Sequence, residues 1–272
     1  MTNLRLGINL WSQAATWPEM LAFVRRVDSL GYDSVWTWDH LYAIVGDPHQ
    51  PIFEGWGMLN AWAMATEHVR LGLLVGANTF RNPGLVAKQA ATLDHVSGGR
   101  AILGIGGAWM EPEHTAHGIP FGAGFGERLD WLDESVAAIR SLLDGGTVTS
   151  PAGGHYDFRE LRHAPPPVQS HLPILIGGNG RTKTLKTIAK YADMWNGFGT
   201  PDEVRELEAC SARTAPTSDG TSARWSGRST CGSRSATRRR SPGRPGPPGW
   251  STTEPRSRRS WSHPGRSSAR QR

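Results

Sequence analysis

Short apolar segments alternate with amphipathic segments along the first 200 residues, and this alternation limits the fold more than any other feature of the sequence. The segments AILGIGG (101–107) and PILIGG (173–178) are continuously apolar, which is typical of strands buried on both faces. Segments with helical spacing separate the strands, and parallel strands need connections of that length. The sequence therefore predicts a parallel α/β sheet. Strands are predicted at 4–10, 33–40, 69–80, 101–107, 173–178 and 193–198, and helices at 16–32, 56–66, 83–100, 126–144, 184–192 and from 200 onward.

Two architectures contain such a sheet, the doubly wound fold and the (β/α)8 barrel. A dinucleotide-binding doubly wound sheet carries Gly-x-Gly-x-x-Gly after its first strand, and this chain does not. Polar residues or glycines follow nearly every predicted strand, at the end where barrels carry their active sites. We therefore expect a TIM-barrel fold that is incomplete, with about six of its eight strands.

The composition changes abruptly near residue 210. Residues 211–272 contain no Leu, Ile, Val, Met, Phe or Tyr, and their fourteen arginines are balanced only by Asp219 and Glu254, a net charge of +12. The whole chain carries +6, which leaves −6 for residues 1–210. Such a segment buries too little apolar surface to offset the entropy of ordering. We expect one barrel domain at 1–209 and a disordered tail at 210–272.

The cysteine spacing and the hydropathy pattern indicate the cellular compartment that we expect for this protein. Cys210 and Cys231 lie in no spacing typical of disulfide frameworks or zinc sites. No apolar run reaches eighteen residues, and the first residues lack a signal-peptide pattern, so we expect a cytoplasmic protein. His114 and His117 form a His-x-x-His pair on a predicted loop without matching ligands, so we expect no metal site.

Asp39 and His40 follow the second predicted strand, in the segment WTWDH (36–40). A histidine beside a carboxylate can donate or accept a proton near neutral pH. The alternative is a helix N-cap aspartate next to a loop histidine. Because the loops at this end of a barrel carry its reacting groups, we predict a catalytic role for both residues.

Small residues follow the third and fourth predicted strands. Gly76 and Ala77 would let a flat ring approach the backbone, and Asn78 could hydrogen-bond the edge of that ring. Gly76 is also compatible with a simple bulge. Gly106 and Gly107 likewise leave the end of the next strand without side chains. These residues therefore predict one side of a groove for a planar ligand.

Trp109 and Glu113 come shortly after the fourth predicted strand. Trp109 could form a wall of the predicted groove, and Glu113 offers a carboxylate there. A tryptophan is more often a core residue, so this signal has value only together with the neighbouring strand ends.

A glycine-rich turn connects the fifth predicted strand to a helix that begins near residue 184. Gly177, Gly178, Asn179 and Gly180 allow close approach to the backbone, and a helix N-terminus favours anions. The alternative is a tight strand-to-helix turn without a ligand. With Arg181 beside it, the turn predicts a phosphate site at the other end of the groove.

Several segments resemble the luciferase-like monooxygenase superfamily, and more narrowly its coenzyme F420-dependent oxidoreductases. They are LGYDSVWTWDHL, FEGWGMLNAWAMATEHVRLGLLV, FRNPGLVAKQAATLDHVSGGRAILGIGGAW and LPILIGGNGRTKTLKTIAKYADMWN. The resemblance covers residues 4–209. It implies a barrel that binds a deazaflavin or flavin at the strand ends and moves a hydride to or from a small organic substrate. It favours coenzyme F420 over FMN, and relatives of this kind often form homodimers.

The resemblance also implies roles for individual residues. His40 would lie beside the ring, with Asp39 next to it. A non-prolyl cis peptide would fall around Val75, Gly76 and Ala77, behind the ring. The fourth-strand glycines and the turn that ends at Arg181 would bind the rest of the cofactor.

The resemblance stops near Cys210. When synonymous codons are chosen for residues 210–220 and the DNA is read one frame over, the sequence LRAHCADVGRD is possible. Our hypothesis is that the coding frame slips there, and resequencing the gene tests it.

Because an open six-strand sheet exposes two edges, we expect the chain as written to be poorly soluble or inactive. The rival hypothesis is that the basic tail binds nucleic acid, and the acidic barrel part and the few aromatic residues of the tail argue against it. An FMN-dependent monooxygenase is the third possibility.

Overall fold

The computed structural model describes residues 4–214, in which strands and helices alternate as the sequence predicts. The predicted tail beyond residue 214 lies outside the described residues. The strands are β1 (Gly7–Leu10), β2 (Ser34–Thr37), β3 (Arg70–Leu73), β4 (Gly76–Ala77), β5 (Ala101–Gly106), β6 (Ile174–Gly177) and β7 (Met194–Asn196). The helices are α1 (Trp17–Ser29), α2 (Gly55–Ala65), α3 (Pro83–Ser97), α4 (Glu111–His117), α5 (Phe125–Leu143), α6 (Thr184–Tyr191) and α7 (Pro201–Thr214).

All strand pairs in the sheet are parallel, in the spatial order β1-β2-β3-β5-β6-β7, and β4 also pairs with β5. The register places Val35 beside Leu71 and Leu103 beside Ile174, so neighbouring strands present apolar residues to the same face. The predicted parallel α/β class is confirmed.

The third predicted strand, 69–80, is broken in the structure. β3 ends at Leu73, β4 begins at Gly76, and a cis peptide bond joins Leu74 to Val75. The resemblance placed this bond around residues 75–77, and the structure has it at the first edge of that range. β3 and β4 therefore occupy one strand position of the sheet.

Within residues 4–214 the sheet has two open edges. β1 pairs only with β2, and β7 pairs only with β6. A closed barrel would join its last strand to its first. The described residues supply six of the eight strand positions, in agreement with the expectation of an incomplete barrel.

The two faces of the sheet are covered differently. The helices pack on the outer face, where Val35, Leu71 and Ile174 are fully buried. A smaller cluster fills the inner face, and it consists of Trp36, Leu74, Val75, Ile102, Leu175 and Met194. A Cβ at Gly72 would lie 2.7 Å from both the Trp36 ring and the Ile102 carbonyl oxygen, so the neighbouring strands require glycine at this position.

Sequence signals at the helix ends mostly match the structure. The Thr16 N–H donates to Glu19 Oε2 at 2.8 Å, which caps α1. Asn82 caps α3, and Gly98 ends it in a left-handed conformation with φ 66°. No helix within residues 4–214 combines the length and apolarity that crossing a bilayer requires.

Arg100 ties the end of α2 to the loop before β3. Its guanidinium donates to the carbonyl oxygens of Ala63, Thr66, Val69 and Ser97 and to the hydroxyl of Thr66. The carbonyls of Ala63, Thr66 and Ser97 lie at helix ends, where they lack intrahelical partners. The arginine therefore takes the place of water at these helix ends.

One helix assignment differs from the sequence prediction. His114 and His117 lie on α4, not on a loop, because Pro112 in the first turn and left-handed Gly118 at the end define a short helix. The helix predicted from residue 200 onward is α7, which runs to Thr214. The predicted domain boundary at 209 remains a prediction.

Candidate active site at the strand ends

The carboxyl ends of β2, β4, β5 and β6 lie at one edge of the sheet. Pairing aligns Ala77 with Gly106 and Gly106 with Gly177. The Ala77 N–H donates to Asp39 Oδ2 at 2.9 Å, which connects the end of β2 to β4. The structure therefore brings together the four segments in which the sequence predicts site residues.

Asp39 forms a buried ion pair with Arg81. Arg81 Nη1 donates to Asp39 Oδ2 at 2.7 Å, and Arg81 Nη2 donates to Asp39 Oδ1 at 2.9 Å. Arg81 Nη2 also donates to Glu54 Oε1 at 2.6 Å, at the N-cap of α2. The Asp39 side chain is 1% exposed and that of Arg81 is 13% exposed. Arg81 thus joins the β2 loop, α2 and the segment after β4.

Burial and charge act against each other in this pair. Burial raises the pKa of the Asp39 carboxyl, while Arg81 and the Ala77 N–H lower it, and the net direction is upward. Burial lowers the pKa of the Arg81 guanidinium, but Asp39 and Glu54 outweigh it and raise that pKa. The bidentate geometry favours the ionised pair, which is the state we assign at neutral pH.

His40 pairs with Glu113, and this corrects the expectation that Asp39 is its carboxylate partner. His40 Nδ1 lies 2.9 Å from Glu113 Oε1, and the N–H groups of Leu41 and Tyr42 donate to Glu113 Oε2 at 2.8 and 3.3 Å. Both oxygens of Asp39 are already bound by Arg81 and the β4 backbone. Asp39 therefore organises the strand ends, and its predicted catalytic role stays a prediction.

Both ring nitrogens of His114, next to Glu113 on α4, contact other protein groups. Its Nδ1 lies 2.8 Å from the Met110 carbonyl oxygen and its Nε2 lies 2.6 Å from Thr79 Oγ1. Burial lowers the pKa of His114. Because a carbonyl only accepts, the Nδ1 carries the hydrogen.

Aromatic rings surround His40. The Trp109 ring centroid lies 5.4 Å from that of His40, at 72°, and the Trp38 centroid lies 6.0 Å away, at 88°. Trp109 is 64% exposed, so it is not a core residue. The exposed rings of Trp11 and Phe198 follow β1 and β7. The strand ends therefore carry accessible aromatic surface.

The glycines at the strand ends make room for neighbouring side chains, and their predicted contact with a planar ligand remains a prediction. A Cβ at Gly106 would lie 2.8 Å from Val75 Cγ2, and a Cβ at Gly177 would lie 2.9 Å from the same atom. A Cβ at Gly107 would lie 3.0 Å from Leu129 Cδ2 of α5. Gly106 and Gly177 make room for the side chain of Val75, which itself lies at the strand ends. A planar ligand would therefore contact Val75 in place of a bare glycine floor.

Asn78 is buried and engaged by a residue that the sequence did not indicate. Its Nδ2 donates to Tyr156 Oη at 3.2 Å, and its backbone N–H donates to the Gly106 carbonyl oxygen at 3.0 Å. Burial raises the pKa of the Tyr156 hydroxyl. The Asn78 side chain thus anchors the segment between α5 and β6, and its predicted contact with a ring edge remains a prediction.

The glycine-rich turn is braced against the end of β7. Gly178 has φ 128°, a conformation that favours glycine, and its carbonyl oxygen accepts from Trp195 Nε1 at 2.8 Å. The Asn179 side chain binds the backbone of Phe198 through both its oxygen and its nitrogen. Asn179 therefore fixes the turn, and its predicted contact with a cofactor remains a prediction.

Unpaired donors remain in this turn. Among the described residues, the N–H groups of Gly180 and Arg181 have no protein acceptor. The Arg181 side chain is 62% exposed and lies 3.2 Å from Glu206 Oε2. Two free N–H groups and a guanidinium before α6 fit an anion such as a phosphate.

An open hollow at the opposite end of the sheet is a less suitable candidate. Arg5, Arg25, Asp28 and Arg70 are among its lining residues. Asp28 accepts from the N–H groups of residues 67, 68 and 69, so its carboxylate holds a loop. Reacting groups of barrels lie at the other end.

Sequence reasoning missed Arg81, Glu54 and Tyr156, and it named Glu113 without its partner. One signal was available for Arg81, since it is a lone basic residue four positions after a strand end that faces the acidic Asp39. No local pattern could have shown that Glu113 reaches His40, because 73 positions separate them. Such pairs depend on the fold.

Comparison with known proteins places this geometry in a family. The family model described as luciferase-like monooxygenase matches residues 4–219. The chain is 34% identical over 158 residues to the uncharacterised protein Rv0953c of Mycobacterium tuberculosis, covering 58% of this chain and 54% of the relative. It is 31% identical over 176 residues to an F420-dependent glucose-6-phosphate dehydrogenase of Amycolatopsis mediterranei, covering 64% and 50%.

Solved structures share the fold. An F420-dependent secondary alcohol dehydrogenase in complex with an F420-acetone adduct superposes with a TM-score of 0.66 at 21% identity, covering 77% of this chain and 64% of that chain. The oxygenating constituent of 3,6-diketocamphane monooxygenase of Pseudomonas putida, in complex with FMN, gives 0.61 at 14% identity, covering 79% and 64%.

These matches support a TIM-barrel architecture and leave part of each relative unmatched. The chain spans about half the length of the curated relatives it matches. The family match nevertheless covers most of this chain, including every strand end described above. The chain belongs to the luciferase-like monooxygenase family.

Proposed function

We propose that the chain carries out hydride transfer between coenzyme F420 and a small organic substrate. The observation that carries this proposal is His40 at the end of β2, held through Nδ1 by Glu113 beside the exposed ring of Trp109. Two relatives named for F420, a glucose-6-phosphate dehydrogenase and an alcohol dehydrogenase, add support.

The strand ends offer suitable groups for such a cofactor. The free N–H groups of Gly180 and Arg181 would hold its phosphate, and Val75 and Ala77 would contact its ring. When bound, the deazaflavin ring supplies a carbon that accepts or donates a hydride. Asp39 and Arg81 would hold the Ala77 backbone in place during this contact.

His40 is the group that we expect to move a proton. Its Nδ1 is committed to Glu113, so Nε2 is the atom that can act on a substrate. When a hydride leaves the carbon of an alcohol, the hydroxyl proton passes to Nε2 and a carbonyl results. The reverse reaction returns that proton to the carbonyl oxygen.

Cofactor titration tests the proposal. The intrinsic tryptophan fluorescence of the full chain is followed while F420 or FMN is added, with a frame-restored protein measured in parallel. In the frame-restored protein we expect saturable quenching by F420, weakened several-fold in Arg181→Gln and little changed in Arg159→Gln, since Arg159 lies 84% exposed on another loop. A protein that melts cooperatively and shows no quenching by either cofactor would refute the proposal.

An FMN-dependent monooxygenase is the second candidate. The FMN complex among the structural neighbours favours it, since a flavin and a deazaflavin share a tricyclic ring and a phosphate. The same titration separates the two, because tighter binding of FMN than of F420 would replace the first candidate with the second.

A further inference from the structure

We propose that Glu113 is a positioning residue that sets the tautomer of His40 and so makes Nε2 the proton-accepting atom. The tautomer is a property of the protein alone. Its catalytic meaning rests on the function proposed above.

The hydrogen bonds around Glu113 leave one arrangement of protons. Glu113 is 2% exposed, and it receives three contacts, from His40 Nδ1 at 2.9 Å and from the N–H groups of Leu41 and Tyr42 at 2.8 and 3.3 Å. An ionised carboxylate only accepts hydrogen bonds. The backbone groups can only donate, so the carboxylate is the acceptor in all three contacts and His40 Nδ1 carries a hydrogen.

This assignment fixes the other ring nitrogen. A neutral imidazole has a single N–H, and the partner of one nitrogen decides the state of the other. With the hydrogen on Nδ1, Nε2 presents a lone pair. Among residues 4–214, no protein group hydrogen-bonds to His40 Nε2, so the lone pair is available to a substrate proton.

The two titratable residues next to this pair in the sequence are already engaged by other groups. Asp39 is adjacent in sequence, but its oxygens are bound by Arg81 and the Ala77 N–H. His114 is adjacent to Glu113, but its ring nitrogens are engaged by Met110 and Thr79. Among residues 4–214, Glu113 is therefore the side chain that hydrogen-bonds to His40.

The location of Glu113 supports a fixed geometry. It lies in the first turn of α4, where the positive end of the helix dipole favours a carboxylate. Its second oxygen holds the backbone immediately after His40, so one side chain orients both the ring and the chain that carries it. The aromatic neighbours Trp38 and Trp109 restrict the ring from two sides.

Glu113→Gln is a sharp test because it changes donors without changing size. The Leu41 and Tyr42 N–H groups require an acceptor, so the amide oxygen turns towards them and the amide NH2 faces His40 Nδ1. That nitrogen must then accept, which moves the ring hydrogen to Nε2. The variant should therefore invert the tautomer of His40.

Nitrogen NMR of the full chain with ¹⁵N-labelled histidine reads the tautomer directly, without cofactor. The His40 signals are assigned by their loss in His40→Asn, and sedimented protein gives the same shifts by solid-state NMR. At pH 8 we expect an Nδ1–H pattern in the unmodified chain, an Nε2–H pattern in Glu113→Gln, and no change in Glu111→Gln, a matched variant on the same helix turn.

An Nε2–H pattern in the unmodified chain would overturn the proposal, and this result needs no variant. An Nδ1–H pattern that persists in a folded Glu113→Gln would also overturn it. Because no cofactor is present, these outcomes are independent of the titration that tests the proposed function.

Discussion

Asp39 and Arg81 form a bidentate ion pair, with guanidinium nitrogens 2.7 and 2.9 Å from the two carboxylate oxygens. The pair connects loops that follow different strands, and the carboxylate also accepts from the Ala77 N–H of β4. The contact is therefore both a charge pair and a link between strand ends.

Arg81→Met should lower the free energy of unfolding by about 3–5 kcal/mol, because removal of one partner leaves the buried Asp39 charge without its counterion. Urea denaturation with a constant m-value measures this change. Arg159→Met is the matched control, since the Arg159–Asp157 pair is 84% and 73% exposed and should contribute less than about 1 kcal/mol. Equal losses in both variants would contradict the assigned role of Arg81.

Gly106→Ala should lower the free energy of unfolding by about 1–3 kcal/mol, because the added methyl would lie 2.8 Å from Val75 Cγ2. The double variant with Val75→Ala should lose less than the sum of the two single changes, as thermal or urea unfolding can show. Gly126→Ala in α5 is the control, since its nearest neighbour would be Lys183 Nζ at 3.9 Å. Additive losses would mean that Val75 is not the obstacle.

The stability of the protein should depend on His114 below a pH of about 6.5. Burial lowers the pKa of His114 in the folded chain, so at lower pH the unfolded chain binds a proton that the folded chain does not. The free energy of unfolding should therefore fall as the pH falls from about 6.5, by up to about 1.4 kcal/mol per pH unit for this group. His114→Asn should flatten that slope in urea titrations between pH 5 and 7. Parallel slopes would show that His114 is protonated equally in both states.

Arg100→Lys should lower the free energy of unfolding by about 2–4 kcal/mol. A lysine keeps the charge, but its single nitrogen cannot reach the four carbonyl oxygens and the hydroxyl that the guanidinium contacts. Urea unfolding measures the loss, and Arg25→Lys on the exposed surface of α1 should change it by less than about 0.5 kcal/mol. Hydrogen exchange should also increase first at the end of α2. A loss no larger than that of Arg25→Lys would contradict the anchoring role.

Local signals in the sequence were sufficient for much of the fold. The apolar runs at 101–107 and 173–178 predict β5 and β6 because strands buried on both faces lack alternation. Thr16 and Gly98 mark the ends of α1 and α3 through capping rules. These features depend only on neighbours along the chain.

The site was predicted less completely because its contacts are distant in sequence. The sequence predicts that the segments after several strands lie at one edge of the sheet, because parallel strands end on the same side. The structure has Asp39, Ala77, Gly106 and Gly177 at that edge. The partner of His40 was wrong, because Arg81 and the Ala77 N–H bind the Asp39 carboxylate and His40 Nδ1 contacts Glu113. Side-chain volume was also missed, since only the structure shows Val75 above the glycines.

The segment between residues 41 and 54 is held at both ends by charged groups that lie outside it. Glu113 binds its first N–H groups, and Arg81 binds the carboxylate of Glu54 at its last position. Loops of different length could be grafted between these two points while the barrel scaffold and the histidine geometry stay intact. Under the function proposed above, exchange of this segment is expected to change which substrate the protein accepts.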